Sequence, residues 1–498
     1  MTGLAKATTS GVLWSWTGTV GMGVLNNLVV LAVLARLLDP ADFGLMGMAT
    51  IVSGFMMLWL DLGVGPAVIQ REKVSQEELS SLFFFNVLMG VLLCLATMAL
   101  SEVGARVFGA PTVALLLRVV ALGFVAGALG QLPHTLLQKQ MRWGVITRVQ
   151  LAAQVVYGFA AITLAYLGWG PLSLGWAVVA RQMTSSVLMI VVLGWRPQPR
   201  LRLQEARPFL SFGMYLTGGN VVNYLSANAD YLVVGRLLGS QALGYYTLAY
   251  RLMSFPLAKV SRVVASVTYP ALCTLHDQDE RLRKAYLKVV RYVALVTFPM
   301  LTGMFVVAPE FVQLVYGPKW GESVPLLRLF CLVGMSKSVG TLVGNVYLVK
   351  GKPQWGLWWN VAYTVTLLIA LLLGVRFGTR GVVTAILALT LPSLVVTQYL
   401  VNLLIGTSFR QYFWNLRHAI CGSALILVCV GMFQLGPLKP SGLWSSLALS
   451  AMAGALVYVA YVYIGERHAF KEGIFLARQI ARGIRGAPVA ATGEVGSP

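Results

Sequence analysis

The chain has 498 residues, of which 57% are hydrophobic and 11% are charged, and its mean hydropathy is +0.75. These values exclude an ordinary soluble globular protein and are typical of a polytopic membrane protein. In a soluble chain the formal net charge of +21 would indicate a nucleic-acid partner. Here the basic residues alternate with apolar segments, so we expect no nucleic acid and consider membrane topology first.

Roughly fourteen segments are long and apolar enough to cross a bilayer, because one helical span takes about 20 residues. The sequence therefore predicts an all-α polytopic membrane protein. The first apolar run is too long for the core of a signal peptide, so we expect it to be a retained first span. The predicted spans cover residues 12–36, 42–66, 80–101, 112–133, 149–168, 171–194, 210–235, 242–268, 288–308, 325–349, 355–375, 381–405, 416–435 and 443–464.

Lys and Arg are concentrated in alternate connections between these spans, including the segment 195–208. If the N-terminus is cytoplasmic, the basic connections fall on the cytoplasmic side, as the positive-inside rule requires. An even number of spans then returns the C-terminus to the cytoplasm. Most of the net charge therefore follows from topology rather than from function.

Two parts of the chain repeat at a shift of 200 positions. The string ARLLDPADFG at 35–44 aligns with GRLLGSQALG at 235–244, and six predicted spans separate the two copies. Both copies therefore enter the membrane in the same direction, which implies two six-helix lobes related by a pseudo-two-fold axis along the membrane normal, with the substrate site between them. The predicted parts are an N-terminal lobe (1–194), a basic cytoplasmic linker (195–208), a C-terminal lobe (209–405), two extra spans (406–465) and a basic cytoplasmic tail (466–498). The tail is either an amphipathic helix on the inner leaflet or a solvated segment.

Basic side chains outnumber acids within the predicted spans. A charge at membrane depth costs at least about 2–3 kcal/mol on insertion scales and usually faces a cavity or a partner. We therefore expect an anionic guest. The candidate substrate-binding bases are Arg118, Arg181, Arg251, Lys259, Arg262 and Lys337. Three of them, Arg251, Lys259 and Arg262, share one face of the eighth span, although Arg262 could instead extend to the cytoplasmic surface.

Polar residues of the seventh predicted span share one helical face. They are Asn220, Asn223, Tyr224, Asp230 and Tyr231. Amides and phenols can hydrogen-bond sugar hydroxyls, so this face is a candidate cavity lining. A polar seam between neighbouring helices is the alternative. Asn27 belongs to a similar, shorter patch on the first span.

Motifs of catalysis and metal binding are absent from the sequence, which contains no GxxxxGK[ST] loop, no HExxH and no CxxC. The five cysteines fall in or beside apolar segments and are typical of small buried hydrophobes. We expect a protein that is not an enzyme and holds no cofactor or metal. Transport would then depend on an ion, voltage or substrate gradient. Asp61 and Asp230 are candidates for coupling to H⁺ or Na⁺, with a structural ion pair as the alternative for Asp61.

The strings ARLLDPADFGLMGMA and DLGVGPAVIQ resemble the opening of Wzx-type polysaccharide flippases, especially the branch of colanic-acid exporters. These belong to the multidrug/oligosaccharidyl-lipid/polysaccharide exporter superfamily. Further strings, YPALCTLHDQDERLRKAY, VVAPEFVQLVYGPKW and GNVYLVKGKPQWGLWWN, extend the resemblance over about residues 10–405.

The resemblance implies twelve helices in two lobes, commonly with two more at the C-terminus. It implies transfer of undecaprenyl-diphosphate-linked oligosaccharides from the inner to the outer leaflet of the bacterial cytoplasmic membrane for exopolysaccharide or lipopolysaccharide synthesis. Alternating access would operate around a cationic central cavity. Besides membrane lipids, a polysaccharide polymerase and co-polymerase are candidate partners.

Three other functions compete with this interpretation. A cation-coupled drug exporter of the same superfamily should carry acids in its cavity, whereas these spans are nearly free of acids. A lipid II flippase would also have a cationic cavity, but the strings favour the exporter branch. A membrane scaffold for polysaccharide synthesis would leave the buried bases unexplained.

Overall fold

The computed structural model describes residues 29–61, 64–199, 203–435 and 442–465, and within these ranges it contains helices and no strand. The α-helices are α1 Leu31–Leu37, α2 Pro40–Asp61, α3 Val64–Gln70, α4 Gln76–Ala99, α5 Ser101–Phe108, α6 Thr112–Lys139, α7 Trp143–Tyr166, α8 Leu172–Leu193, α9 Leu203–Lys259, α10 Ser261–Cys273, α11 Asp279–Val315, α12 Ser323–Gly340, α13 Val343–Val349, α14 Pro353–Gly374, α15 Gly378–Ile405, α16 Phe409–Leu435 and α17 Leu443–Gly465. Short 3₁₀ turns lie at Pro318–Trp320 and Val375–Phe377.

Ten stretches of the described chain are long and apolar enough to cross a membrane. The longest of them, Pro353–Ile405, contains two helices, α14 and α15, that are each long enough to span a bilayer. The predicted all-α polytopic fold is therefore confirmed. The first predicted span falls mostly outside the described residues, as does the predicted tail.

The seventh and eighth predicted spans form α9, which is broken at Gly239. The backbone there has φ +86° and ψ 179°, a conformation that glycine adopts readily because it lacks a Cβ. The break lies between the seventh and eighth predicted spans, within the second copy of the repeated string (235–244).

Side-chain hydrogen bonds stabilise two other helix ends. Ser75 Oγ accepts a hydrogen bond from the Glu78 N–H (3.1 Å), and the Glu78 carboxylate accepts one from the Ser75 N–H (2.8 Å). This capping box satisfies two backbone donors at the start of α4. At the end of α3, Lys139 Nζ donates to the carbonyls of Val68 (3.0 Å) and Arg71 (2.6 Å), which have no further helical turn to bond.

The described chain divides into two compact units. The first contains the residues up to 252 together with 312–330 and 360–389, and the second contains 253–311, 331–359 and the residues from 390 onward. These units follow the packing of the helices, whereas the predicted lobes follow the repeat. The lobe boundaries stay a prediction.

In the first unit, α6 packs against α4 and α8, and α8 also packs against α7. Small residues permit the close approach of α6 and α8. A Cβ at Gly130 would overlap Ser186, whose Oγ donates to the Ala126 carbonyl at 2.5 Å. Close packing of small residues with interhelical hydrogen bonds is the usual cohesion between helices in lipid.

The second unit is built around α11. Tyr286 donates to Gln398 Oε1 on α15 (2.9 Å), and Thr297 donates to Ser338 Oγ on α12 (2.9 Å). On α17, the Tyr458 hydroxyl donates to the Leu295 carbonyl (2.6 Å). Hydrogen bonds therefore join α11 to three other helices.

The two repeated strings meet within the first unit. Gly44 lies so close to the Ser240 carbonyl, and Gly244 so close to the Pro40 carbonyl, that a Cβ at either glycine would overlap the carbonyl oxygen. Pro40 and Ser240 are 200 positions apart, as are Gly44 and Gly244, so the two contacts are equivalent under the repeat. Reciprocal contact of this kind is characteristic of two-fold symmetry.

Candidate functional site

A cavity of about 340 Å³ lies within the first unit, at the lower end of the usual size range of ligand sites. Helices α1, α2, α7, α8 and α9 form its wall. Its polar lining residues are Thr50, Tyr157, Arg181, Asn228, Tyr231, Thr247 and Arg251. The described residues that line it include two arginines and no acid. We call it the Arg181–Arg251 cavity.

The two arginines come from different helices and converge on one phenol. Arg181 on α8 is half-buried, and its Cζ lies 5.7 Å from the centroid of the Tyr157 ring on α7, within cation–π range. Arg251 on α9 also lies within electrostatic range of the Tyr157 hydroxyl. The packing of α7, α8 and α9 therefore brings together two bases that are 70 positions apart in sequence.

Neither guanidinium is neutralised by a carboxylate within the described chain. Arg251 is exposed and lies within electrostatic range of the Tyr231 and Tyr316 hydroxyls. Two like charges facing one cavity repel each other unless an anion or water intervenes. The arrangement is therefore suited to an anionic ligand with hydroxyl groups, for which the phenols and Asn228 provide hydrogen-bond partners.

The predicted polar face of the seventh span is divided between several environments. Of its residues only Tyr231 lines the Arg181–Arg251 cavity. The Tyr224 hydroxyl donates to the Ile51 carbonyl on α2 (2.9 Å), which fits the alternative of a polar seam. Asn220 and Asn223 are exposed.

Asp230 is buried and held by donors from its own helix. Its Oδ1 accepts from the Tyr231 N–H (2.9 Å), and its Oδ2 accepts a short hydrogen bond from the Tyr246 hydroxyl. Tyr246 lies beyond the break at Gly239. The carboxylate is not among the residues that line the cavity, and it joins the two segments of α9.

The other predicted bases are placed elsewhere. Arg118 is paired with Glu102 (2.5 Å) and donates to Ser101 Oγ (3.1 Å), and it is not part of the cavity lining. Lys337 is half-buried on α12 in the second unit. Four predicted side chains fall outside the described ones: Asn27, Asp61, Lys259 and Arg262.

Four polar lining residues were not predicted from the sequence: Thr50, Tyr157, Asn228 and Thr247. Asn228 lies about 40° beyond the edge of the predicted polar face at 100° per residue, so a slightly wider face would have included it. Tyr157 carries no sequence signal, because only the packing of α7 on α8 places its ring beside Arg181.

Comparisons with known proteins agree with this architecture. Residues 33–325 match the family model described as "Polysaccharide biosynthesis protein". The chain is 31% identical over 424 residues to the lipopolysaccharide biosynthesis protein WzxC of Escherichia coli (strain K12), covering 83% of this chain and 85% of that protein. It is 26% identical over 504 residues to the succinoglycan biosynthesis transport protein ExoT of Rhizobium meliloti (strain 1021), covering 98% of both.

A similar fold occurs in the lipid II flippase MurJ in an inward closed conformation. The TM-score is 0.73 at 13% identity, over 92% of this chain and 99% of that one. At this identity the likeness concerns the fold alone.

Proposed function

Because the chain belongs to the family of polysaccharide biosynthesis proteins, we propose that it transfers undecaprenyl-diphosphate-linked oligosaccharide units from the inner to the outer leaflet of the bacterial cytoplasmic membrane. The resemblance to Wzx-type flippases is confirmed by the family match and the relatives. Membership in a family of multi-pass membrane transporters favours transport over catalysis. Both termini lie in the cytoplasm in this proposal, as the distribution of basic residues indicates.

The observation that carries the substrate class is the convergence of Arg181 and Arg251 on a cavity without an acid among its described lining residues. A diphosphate loses favourable hydration when it enters a membrane protein, so donors of the site must replace its water. Guanidinium groups suit this role because their planar fork donates two parallel hydrogen bonds to phosphate or carboxylate oxygens. Tyr231 and Asn228 would hydrogen-bond the sugars, while the Tyr157 ring keeps the Arg181 guanidinium in position.

The transport cycle would expose this cavity alternately to the two sides of the membrane, while the lipid tail stays in the bilayer. The cavity chemistry disfavours a drug exporter, which needs acids to hold cationic drugs. The relatives named for lipopolysaccharide and succinoglycan synthesis favour surface polysaccharide over lipid II. Coupling to H⁺ or Na⁺ through Asp61 or Asp230, and contact with a polymerase and co-polymerase, remain predictions.

The test is export of surface polymer in a bacterial strain that depends on this gene, with protein level measured in parallel. Replacing a charged partner of a desolvated anion costs about 2–5 kcal/mol, so Arg181→Ala and Arg251→Ala should each reduce export at least about tenfold. Arg118→Ala deletes the same charge outside the cavity and should leave export unchanged. Normal export by the double variant Arg181→Ala/Arg251→Ala, at normal protein level, would overturn the assignment.

A further inference from the structure

A second group of basic and aromatic side chains lies in the other compact unit, where α11, α16 and α17 meet. The Arg417 guanidinium lies over the Trp414 ring, with Cζ 3.7 Å from the ring centroid. Arg417 Nε donates to His418 Nε2 (2.9 Å), and His418 Nδ1 faces the Tyr461 hydroxyl at 3.3 Å. We call Trp414, Arg417, His418 and Tyr461 the Arg417 cluster. Arg291 on α11 adds positive potential at His418.

The hydrogen bonds fix the charge of the cluster. Because His418 Nε2 accepts a hydrogen bond, the imidazole is neutral and its proton lies on Nδ1, toward Tyr461. Within the described chain α16 and α17 contain no acidic residue. The acids at the start of α11 already pair with lysines, Asp279 with Lys350 and Glu280 with Lys284. Arg417 therefore has no counterion on α16 or α17 or among the acids at the start of α11.

Arg417 keeps free donors toward its exposed side. Its Nε is used by His418 and one face of its guanidinium is covered by Trp414. Its two terminal amino groups meet no acceptor in the part of the chain that the structure describes. A guanidinium that is stacked and bonded in this way is held in a single orientation, with a fork suited to a phosphate group.

The position along the helices corresponds to the edge of the hydrocarbon core. Arg417 lies eight residues after the start of α16, about 12 Å along the axis, and no charged residue follows it in that helix. On α11 no charged residue lies between Arg291 and Glu310. Trp414 is 65% exposed, as expected of an aromatic residue at the membrane interface. In the predicted topology this end of α16 is cytoplasmic.

We propose that the Arg417 cluster is a binding site for the phosphate headgroup of an anionic phospholipid in the inner leaflet. The terminal amino groups of Arg417 bind the phosphate oxygens, and Trp414 lies beside the glycerol backbone. Anionic lipids are abundant in this leaflet, and basic pockets between transmembrane helices on this side are suited to them. The site is separate from the Arg181–Arg251 cavity, which belongs to the first unit, and does not depend on the transported glycan.

The test uses the purified full-length protein in neutral detergent micelles, to which phosphatidylglycerol or phosphatidylcholine is added. Native mass spectrometry measures lipid occupancy, and the unfolding temperature is recorded in both lipids. Loss of one arginine contact should weaken phosphatidylglycerol binding about fivefold in Arg417→Ala, without a change in phosphatidylcholine binding. Arg417→Lys keeps the charge but loses the fork and should lie between the wild type and Arg417→Ala.

Arg376→Ala is the matched control, because it removes an equal charge from an exposed position in the turn between α14 and α15. It should retain the affinity of the wild type for phosphatidylglycerol. An equal loss in Arg376→Ala and Arg417→Ala would show that only net charge matters and would overturn the site. Stabilisation by inorganic phosphate in place of the lipid would assign the cluster to a soluble anion, which also refutes the proposal. A lower unfolding temperature of Arg417→Ala in both lipids, with phosphatidylglycerol affinity unchanged, would reduce the cluster to a packing role.

Discussion

Gly44 and Gly244 make reciprocal contacts. Gly44 lies against the carbonyl oxygen of Ser240, four residues before Gly244, and Gly244 lies against the carbonyl oxygen of Pro40, four residues before Gly44. The two contacts join the first turn of α2 to the segment of α9 that follows Gly239. Neither position has room for a Cβ, so the glycines that the repeat retains in both copies have a direct steric reason.

Gly44→Ala and Gly244→Ala should each destabilise the protein. The added methyl would displace a backbone carbonyl, and overpacking of this kind costs about 1–3 kcal/mol. The measurement is the unfolding temperature of purified protein in detergent. Gly303→Ala in α11 is the control, because no other atom lies near its Cβ position and alanine favours the helix. A Gly44→Ala variant as stable as Gly303→Ala would contradict the close contact between the two repeated strings.

The neighbouring residues Lys319 and Trp320 should contribute differently to the free energy of unfolding. Trp320 is fully buried, donates from Nε1 to the Ala35 carbonyl (2.9 Å) and packs edge-on against Phe43. Trp320→Phe leaves that carbonyl unsatisfied and should cost about 1–3 kcal/mol of unfolding free energy.

Lys319 forms an exposed ion pair with Asp39 (2.8 Å), and exposed pairs contribute at most about 1 kcal/mol. Lys319→Ala should therefore change thermal stability less than Trp320→Phe does. The reverse order in unfolding experiments at equal salt would show that the ion pair carries the contact.

The hydrogen bond between Tyr246 and Asp230 should appear as a coupling energy. Tyr246→Phe removes a donor to a buried carboxylate and should cost about 1.5–3 kcal/mol. The double variant Tyr246→Phe/Asp230→Asn should be less destabilised than the sum of its single variants, because both lose one shared interaction. Strict additivity in a thermodynamic cycle from chemical denaturation would contradict the pairing.

The Tyr157 ring should matter more than its hydroxyl. Tyr157→Phe keeps the aromatic face beside Arg181, whereas Tyr157→Ala removes a cation–π contact of about 0.5–2 kcal/mol and leaves Arg181 less well positioned. Polymer export should therefore fall by at least about twofold in Tyr157→Ala and remain near the wild-type level in Tyr157→Phe. A deficit of the same size in both variants would instead assign the role to the hydroxyl group.

Helix positions and family could be predicted because both depend on local sequence. Apolar runs of span length and the strings around 35–44 and 235–244 need no tertiary information. Arg181 and Arg251 were selected from their depth in separate spans, but their convergence on Tyr157 depends on helix packing that no single span encodes.

The role of Asp230 could not be derived from a helical face. In a straight helix Tyr246 would lie about 24 Å away along the axis, 16 residues further on. The break at Gly239 changes the direction of the chain and brings the two side chains together. Arg118 illustrates a second limit. Its partner Glu102 lies on the short helix α5, outside the predicted spans, so a comparison of acids and bases within the spans misses this pair.

The spacing of four between Pro40 and Gly44, and between Ser240 and Gly244, is constrained as tightly as the glycines themselves. One inserted or deleted residue in either interval would rotate that glycine by about 100° around its helix and present a side chain to the opposing backbone. Homologous chains should therefore differ in loop length but keep the same number of residues in the intervals 40–44 and 240–244. A length change in only one copy of the repeated string would remove one of the two reciprocal contacts.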